Sequence, residues 1–256
     1  MSAWPYGILC PAAFAASLLT LFSGFGLGTV LTPVFCLFFP PQDAVAMTAV
    51  VHFANNVFKL GLLGRHADRG VVLRFGLPAV PAAFVGALLL RGLAQAAPLA
   101  RYSLAGLACE VTALKLALGL LMAGFAILEA RGGDIPALPS GNLALGGVLS
   151  GFLGGLSGHQ GALRSAFLLH CGLSKETFLG TGIAIACLVD LARLTVYGWP
   201  GTVSGAWGPM AATSLAAFAG AFLGARLLTK VTFRGTQAAV AGMMLLISAG
   251  LAAGLL

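Results

Sequence analysis

The chain has 256 residues, of which 59% are hydrophobic and only 8% are charged, and its mean hydropathy is +0.99. Soluble domains carry roughly 25% charged residues, so this composition excludes an ordinary soluble domain and predicts an integral membrane protein. The net charge of +7 comes from single basic residues scattered at the ends of apolar runs. That distribution excludes a nucleic-acid-binding stripe and is typical of membrane topology.

Apolar segments follow one another along the chain, each near the length of about 20 residues that a membrane-spanning helix needs. They lie near residues 7–31, 43–63, 71–90, 107–128, 141–170, 176–197, 206–228 and 236–255. The first and fifth are overlong and rich in glycine and serine, which predicts broken or re-entrant helices that are buried in protein or line a cavity. No Lys or Arg precedes the first segment, so we interpret it as a membrane segment rather than a signal peptide. The predicted fold class is all-α, a polytopic transmembrane helical bundle of about eight spans.

The two halves of the chain carry similar sequences. Ser23-Gly24-Phe25 resembles Ser150-Gly151-Phe152, and the run from Pro81 to Leu90 resembles the run from Leu215 to Gly224. We predict a duplication, with a first membrane repeat at 1–130, a connecting loop at 131–140 and a second repeat at 141–256. Chance similarity between helices rich in Ala and Gly is the alternative. Duplicated halves with interrupted helices are typical of secondary transporters, whose binding sites lie between the repeats.

Polar side chains interrupt two of the predicted spans, although a charge near the bilayer centre costs about 2.5–3.5 kcal/mol on insertion scales. The second segment carries a polar stripe on one helical face, made of His52, Asn55, Asn56 and Lys59. In the register of the second repeat match, Asp190 aligns with Asn56 and Arg193 aligns with Lys59. We predict that Lys59 and Arg193 contribute positive charge to one anion site. The alternative is that Asp190 and Arg193 neutralise each other, while Lys59 snorkels to the interface.

A third polar cluster lies in the fifth segment, where His159, Gln160 and Arg164 follow a glycine-rich stretch. An arginine can bind an oxyanion through two parallel hydrogen bonds. Five glycines are predicted to break the first and fifth segments, so that free backbone N–H groups of half-helices face an anion: Gly24, Gly26, Gly28, Gly155 and Gly158. The alternative is that these glycines serve only close helix packing.

The glycine-rich stretches resemble the signatures of a known family. The run from Ser23 to Pro33 resembles the first signature of the TauE/SafE sulfite exporter family, and the run from Asp43 to Thr48 is similar to its following helix start. The run from Gly151 to Gly158 resembles the second signature, and Leu179 to Gly182 the corresponding helix position. The resemblance implies a multi-pass inner-membrane exporter of sulfite, sulfoacetate or related organosulfur anions. His159, Gln160 and Arg164 depart from the Gly-Gly-Gly and proline pattern that is common after the second signature.

Two other functions are considered. Gly155-Leu-Ser157-Gly158 and His52-x-x-x-Asn56 resemble motifs of rhomboid intramembrane proteases, but no histidine follows residue 170 to serve as the base that a serine nucleophile needs. A passive anion channel is not separable from a carrier by sequence. The sequence has no GxxxxGK[ST] pattern, which argues against ATP hydrolysis.

These features predict a secondary transporter, not an enzyme, that exports a small sulfur-containing anion across the bacterial inner membrane by alternating access. The predicted substrate-binding residues are Lys59, Arg193, Arg164, Asn55, Asn56, His159, Gln160, Asp190 and His52. No cofactor, metal or nucleic acid is expected, and the five cysteines form no metal or disulfide pattern. The partners are the small anion and the lipid bilayer, while coupling to a proton or a sodium ion and a homodimer are left open.

The basic residues also predict an orientation. If every segment crosses the membrane, one side receives Arg65, Arg69 and Arg131, and the other receives Arg91, Arg101, Lys175, Arg226, Lys230 and Arg234. Because cytoplasmic loops carry the excess of Lys and Arg, the second set is predicted to face the cytoplasm and both termini the outside.

Overall fold

The computed structural model describes residues 5–23, 26–104, 106–130, 142–198, 206–226 and 234–256. Within them the chain forms ten α-helices, one 3-10 turn (Gly64–His66) and one two-stranded antiparallel sheet. The helices of the first half are α1 (Tyr6–Ser23), α2 (Leu27–Cys36), α3 (Pro41–Leu63), α4 (Arg69–Ala94) and α5 (Ala113–Ala130). Those of the second half are α6 (Leu143–Ser157), α7 (Gly161–Leu169), α8 (Lys175–Tyr197), α9 (Trp207–Arg226) and α10 (Arg234–Ala252).

Each of the eight predicted segments contains helix, and the first and fifth are each broken into two helices as expected. The helix starts follow local chemistry. Pro41 stands in the first turn of α3, where its missing N–H costs nothing. The side chains of Asp68, Asn142 and Ser174 each accept a hydrogen bond from a backbone N–H in the first turn of α4, α6 and α8.

The fourth segment was predicted to be helical from residue 107, and this boundary is wrong. Its first residues form β2 (Leu107–Val111), which pairs with β1 (Ala100–Leu104) through a turn at Gly106, whose φ is 81°. A positive φ is readily adopted by glycine. Only after Thr112, whose hydroxyl accepts from Lys115 N at 3.1 Å, does α5 begin. The short run Leu107-Ala-Cys-Glu-Val111 fits a strand as well as a helix.

The bundle has two ends, which we call the strand end and the basic end. The strand end carries β1 and β2, and the backbone of Glu110 there donates to Gly254 O near the C-terminus. The basic end carries the turn between α3 and α4, where Asp68 N donates to Thr181 Oγ1 near the start of α8 at 2.9 Å. Helix α3 therefore runs from the strand end to the basic end, and α8 runs in the opposite direction.

Helices α6 and α7 enter and leave at the same end. Gly147, Gly151 and Gly155 of α6 face successive turns of α4 in the same order, so α6 runs parallel to α4, away from the basic end. Helix α7 must return to the basic end, because only residues 170–174 separate it from α8. With 15 residues, α6 reaches about 22 Å into the bundle. The pair is a re-entrant hairpin.

Helices α1 and α2 form the same arrangement from the strand end. Tyr6 lies beside Gly208 and Phe14 beside Gly220, so α1 runs parallel to α9. Helix α9 ends at the basic end, where Ala225 packs against the cluster of Leu63, Leu179 and Ile183. Helix α2 returns to the strand end, where α3 begins. The two hairpins therefore enter from opposite ends and point toward each other.

Helix pairing crosses between the two halves. Helix α4 packs along α6 and α1 packs along α9, while α3 pairs with α8 and α5 with α10. Exchanging the first five helices for the last five converts this set of pairs into itself, which is the symmetry of an inverted repeat. Gly86 on α4 and Gly220 on α9 hold equivalent contacts, each against the backbone of a re-entrant helix. They also align in the Pro81/Leu215 register.

The other sequence similarity is not a structural equivalence, because Ser23 ends α1 whereas Ser150 lies in the middle of α6. The predicted connecting loop at 131–140 lies outside the described residues, and the predicted boundaries of the two repeats stay a prediction. The predicted grouping of basic residues is wrong, since Lys175 and Arg226 lie at the same end as Arg65 and Arg69. Re-entrant hairpins do not cross, which changes the side of every later loop.

The outside of the bundle is apolar. Large side chains such as Leu77, Leu215 and Leu246 are more than half exposed there. Within the described ranges, four helices are long and apolar enough to cross a membrane: Pro41–His66, Arg69–Ala94, Lys175–Tyr197 and Trp207–Arg226. The protein is an all-α helical membrane protein whose polar residues are turned inward.

Candidate anion-binding site

The tips of the two re-entrant hairpins meet in the centre of the bundle. Gly158 ends α6 in the left-handed conformation, with φ 82°, and Gly26 precedes α2 with φ 140°. A Cβ on Gly28 would lie 2.8 Å from the carbonyl oxygen of Gly158, so only glycine allows this approach. Three predicted break glycines thus lie at the tips, while Gly24 lies outside the described residues.

Gly155 is not a break glycine. It lies within α6, and a Cβ there would overlap the carbonyl oxygen of Ala83 on α4. Gly147 and Gly151 make the same contact with the two preceding turns of α4. Glycines spaced by four residues let two helix backbones approach closely in a membrane, so the packing alternative holds for Gly155.

Two helix N-termini converge at the tips. Helix α2 has ten residues and α7 has nine, and neither has a side-chain cap among the described residues. The first N–H groups of each helix have no partner within the helix, and the helix dipole places partial positive charge there. Such termini favour an anion.

A cavity lies on the basic-end side of these tips. It is lined from the hairpins by Gly26, Gly28, Thr29, Gly158, Gly161, Arg164, Ser165 and Leu168, and from the long helices by His52, Asn56, Lys59, Phe178, Leu179, Gly182 and Ile183. Lys59 lies one turn before the end of α3, and Phe178 and Leu179 lie at the start of α8, so this cavity faces the basic end. Four predicted site residues, His52, Asn56, Lys59 and Arg164, are brought together here.

Lys59 is a buried cation that contacts no carboxylate of the described residues. Its side chain is 1% exposed, and no ion pair joins it to a carboxylate of the described residues. The amide of Asn55 is best oriented with its oxygen toward Lys59 Nζ, at 3.1 Å, since its nitrogen then donates to Ala217 O at 3.2 Å. Asn55 therefore does not line the cavity but orients Lys59, which does.

Asp190 organises the cavity wall from one side. Its Oδ2 accepts from His52 Nδ1 at 2.7 Å and from Asn56 Nδ2 at 3.0 Å. Because an ionised carboxylate only accepts, His52 carries its proton on Nδ1. The 3.0 Å between His52 Nδ1 and Asn56 Nδ2 then joins two donors to the same oxygen and is not itself a hydrogen bond. Asp190 therefore fixes two cavity-lining side chains.

Gln160 links Asp190 to Arg164. Its Nε2 donates to Asp190 Oδ1 at 3.0 Å, and its Oε1 accepts from Arg164 Nη1 at 3.2 Å. Its backbone carbonyl accepts from the Ser150 hydroxyl at 2.9 Å, which ties the tip to α6. Gln160 lies outside the cavity lining and positions the arginine.

Arg193 does not line the cavity, contrary to the prediction. Its Nη2 and Nε lie 2.8 and 3.0 Å from Asp190 Oδ1, so the pair neutralises itself. Its Nη1 donates to the carbonyl of Gly154 at 3.3 Å, and Tyr197 donates to the carbonyl of Gly155. Both carbonyls lie in the last turn of α6, and that of Gly154 also accepts from Gly158 N at 3.0 Å. Arg193 thus stabilises the break.

The repeat register explains why the two cations differ. Three residues before Arg193 stands a carboxylate, Asp190, whereas three residues before Lys59 stands an amide, Asn56. The amide cannot neutralise the ammonium group. Of the two cations that the repeat relates, only Lys59 of the first half therefore lines the cavity. Arg164 of α7 supplies the second positive charge.

His159 is buried but lies outside the cavity lining. Its ring stacks on Phe125, with centroids 5.3 Å apart, and its Nδ1 lies 3.2 Å from Ser157 Oγ. The Ser157 hydroxyl donates to Leu153 O at 3.0 Å, so its proton is not directed at the imidazole. Both residues are 0% exposed. This geometry does not support the serine nucleophile of the protease alternative.

Sequence reasoning missed several residues of the cavity and its support. Thr29, whose hydroxyl donates to Gly26 O at 2.8 Å, and the apolar wall of Leu168, Phe178 and Ile183 carried no distinctive pattern. Tyr197 carried a usable signal, since it follows Arg193 by four residues and shares its helical face.

Comparison with known proteins identifies the family of the chain. The model of the sulfite exporter TauE/SafE family matches residues 9–251 of the 256 residues, a range that includes every cavity-lining residue. No curated protein and no solved structure gives a significant match. Since the match covers nearly the whole chain, the protein belongs to the TauE/SafE sulfite exporter family, a family of membrane transporters.

Proposed function

We propose that the protein is a multi-pass secondary transporter that exports a small sulfur-containing anion, such as sulfite, sulfoacetate or a related organosulfonate, across the bacterial inner membrane by alternating access. The observation that carries this proposal is the central cavity. There, two half-helix N-termini converge with Lys59 and Arg164. Membership of the sulfite exporter family supports the choice of anion.

The buried charges support an anionic substrate. In the described part of the core, three buried basic side chains, Lys59, Arg164 and Arg193, are accompanied by one buried carboxylate, Asp190. This leaves an excess of two positive charges in a low-dielectric environment, which is costly. An anion in the cavity offsets that cost, and hydrogen bonds to ionised groups are stronger than neutral ones.

Closure toward the strand end supports a carrier over a passive channel. Leu31 and Phe35 of α2 and Arg193 of α8 lie between the cavity and the strand end, and each is 0% exposed. A channel needs a continuous pathway between both ends. A cavity that faces one end and is packed shut toward the other is what alternating access requires.

Orientation and driving force agree with export. Apart from the buried Lys59, Arg164 and Arg193, six described basic residues lie at the basic end, namely Arg65, Arg69, Arg74, Lys175, Arg226 and Arg234, against Arg91, Arg101 and Lys115 at the strand end. The excess favours a cytoplasmic basic end, so the cavity faces the cytoplasm and both termini lie outside. An inside-negative potential drives each negative charge outward by about 2.3 kcal/mol per 100 mV.

The test is anion flux in proteoliposomes made with the purified protein. We expect efflux of sulfite and sulfoacetate above that of protein-free liposomes. We also expect uptake of labelled anion to accelerate when the vesicles are preloaded with unlabelled anion, because a carrier returns loaded. Flux without such acceleration would favour a channel, and no flux of any tested sulfur anion would overturn the proposal.

A further inference from the structure

Two buried threonine hydroxyls have no hydrogen-bond partner in the described structure. They are Oγ1 of Thr32 on α2 and Oγ1 of Thr48 on α3, and both side chains are 0% exposed. Buried hydroxyls in native proteins are nearly always hydrogen-bonded, because burying an unsatisfied one costs free energy. Two such groups in one region therefore need an explanation.

Thr48 extends the polar face of α3 beyond the open cavity. Steps of three and four residues place Lys59, Asn56, His52 and Thr48 on one face of the helix. The first three line the cavity, and Thr48 lies one turn further toward the strand end. The polar face thus continues into the closed half of the bundle.

Thr32 lies beside the hairpin tip on the same closed side. A Cβ on Gly158 would lie 2.9 Å from Arg193 Nη1 and 3.5 Å from Thr32 Oγ1. The hydroxyl and the guanidinium therefore flank the same glycine. Arg193, paired with Asp190, brings a guanidinium and Thr32 brings a hydroxyl without a partner to a region of buried side chains.

The repeat register relates this region to the open cavity. A shift of 134 residues, which aligns Lys59 with Arg193, also aligns Gly182 with Thr48, Leu168 with Val34, and Phe178 and Leu179 with Ala44 and Val45. The first member of each pair lines the open cavity, and the second is at most 1% exposed. The closed region is the inverted counterpart of the cavity, packed shut.

Resting on the proposed function, we propose that this region is a second anion site that is closed in this structure. The hydroxyls of Thr48 and Thr32 and the guanidinium of Arg193 would receive the same small oxyanion on its way to the strand end. The hydroxyls have no partner here because their partners are the anion and its water, which enter when the strand end opens.

The first test is chemical access at Thr48. In a variant whose five native cysteines are replaced, Thr48→Cys is treated with a methanethiosulfonate reagent that carries a sulfonate, added from the strand-end side. Thr213→Cys is the matched control, since Thr213 is also 0% exposed but its hydroxyl donates to Pro209 O at 2.6 Å. We expect Thr48→Cys to react faster than Thr213→Cys and sulfoacetate to slow the reaction.

The outcomes separate the two proposals. Transport without faster labelling of Thr48→Cys would overturn the second site and leave the proposed function standing. Labelling that sulfoacetate slows, in a protein that moves no anion, would overturn the proposed function and leave the site standing. The labelling reaction needs no flux, so it decides the site in either case.

A second variant keeps the native cysteines. Thr48→Val has the same shape but no hydroxyl. We expect about tenfold lower maximal flux, because the variant loses one hydrogen bond to the charged anion. Its Tm should not fall, since the hydroxyl has no partner in the closed state. Thr213→Val should transport like the native protein, and native flux in Thr48→Val would overturn the site.

Discussion

Replacing Lys59 by Gln is the sharpest test of the open cavity. The substitution keeps the approximate length of the side chain and removes its charge. Two unit charges about 4 Å apart interact by about 4 kcal/mol at an effective dielectric constant near 20. Because about 1.4 kcal/mol corresponds to a tenfold change in Kd, we expect the affinity for sulfite to fall by roughly three orders of magnitude. Lys59→Arg, which keeps the charge, should retain measurable binding.

The stability of the same variants separates binding from folding. Lys59 makes no ion pair with a described carboxylate, so Lys59→Gln should keep the native Tm or raise it. Arg193→Gln should lower the Tm strongly, because it leaves Asp190 buried without its cation, a loss of about 3–5 kcal/mol. Anion binding is measured on the purified protein by calorimetry and unfolding by a thermal scan. Native affinity in Lys59→Gln would refute the assignment of this lysine to the site.

Three further outcomes are expected. Asp190→Asn should lower the Tm and weaken anion binding, because His52 and Asn56 lose the carboxylate oxygen that both donate to. The substitution also makes the core more positive, so tighter anion binding would contradict the positioning role of Asp190. Gly151→Ala should destabilise the protein by several kcal/mol, the upper end of what overpacking costs, because its Cβ would overlap Ala79 O. Gly124→Ala is the control, since its Cβ meets open space and a thermal scan should show no change. Efflux from vesicles should accelerate when the inside is made negative, and indifference to potential would indicate electroneutral exchange.

The sequence predicted the helices because their signals are local. Runs of about 20 apolar residues and excess glycine mark where helices run and break. The register between Lys59 and Arg193 was also readable, and Gly86 and Gly220 occupy equivalent contacts in that register. The direction of the short helices was not readable, because a broken helix and a re-entrant one have the same composition. That difference made the predicted grouping of basic residues wrong.

Part of the site depended on contacts between distant residues. The stripe from His52 to Lys59 follows from helical spacing alone, and the structure places three of its four members in the cavity. Whether Arg193 would bind substrate or pair with Asp190 could not be decided from the sequence, since a spacing of three residues on a helix suits both roles. The answer required the carbonyls of Gly154 and Gly155, which sit more than 35 residues away in the chain. Hydroxyls without partners, as in Thr48, leave no mark in a sequence.

Backbone meets backbone where Gly158 approaches Gly28, with no side chain between the two re-entrant pairs. Neither tip therefore has a compressible layer that could absorb a displacement of the other. In the proposed carrier, a shift of one hairpin would therefore be transmitted to the other. If the proposed alternating access holds, this glycine contact couples the opening of one entrance to the closing of the other, so that ions do not leak through both at once.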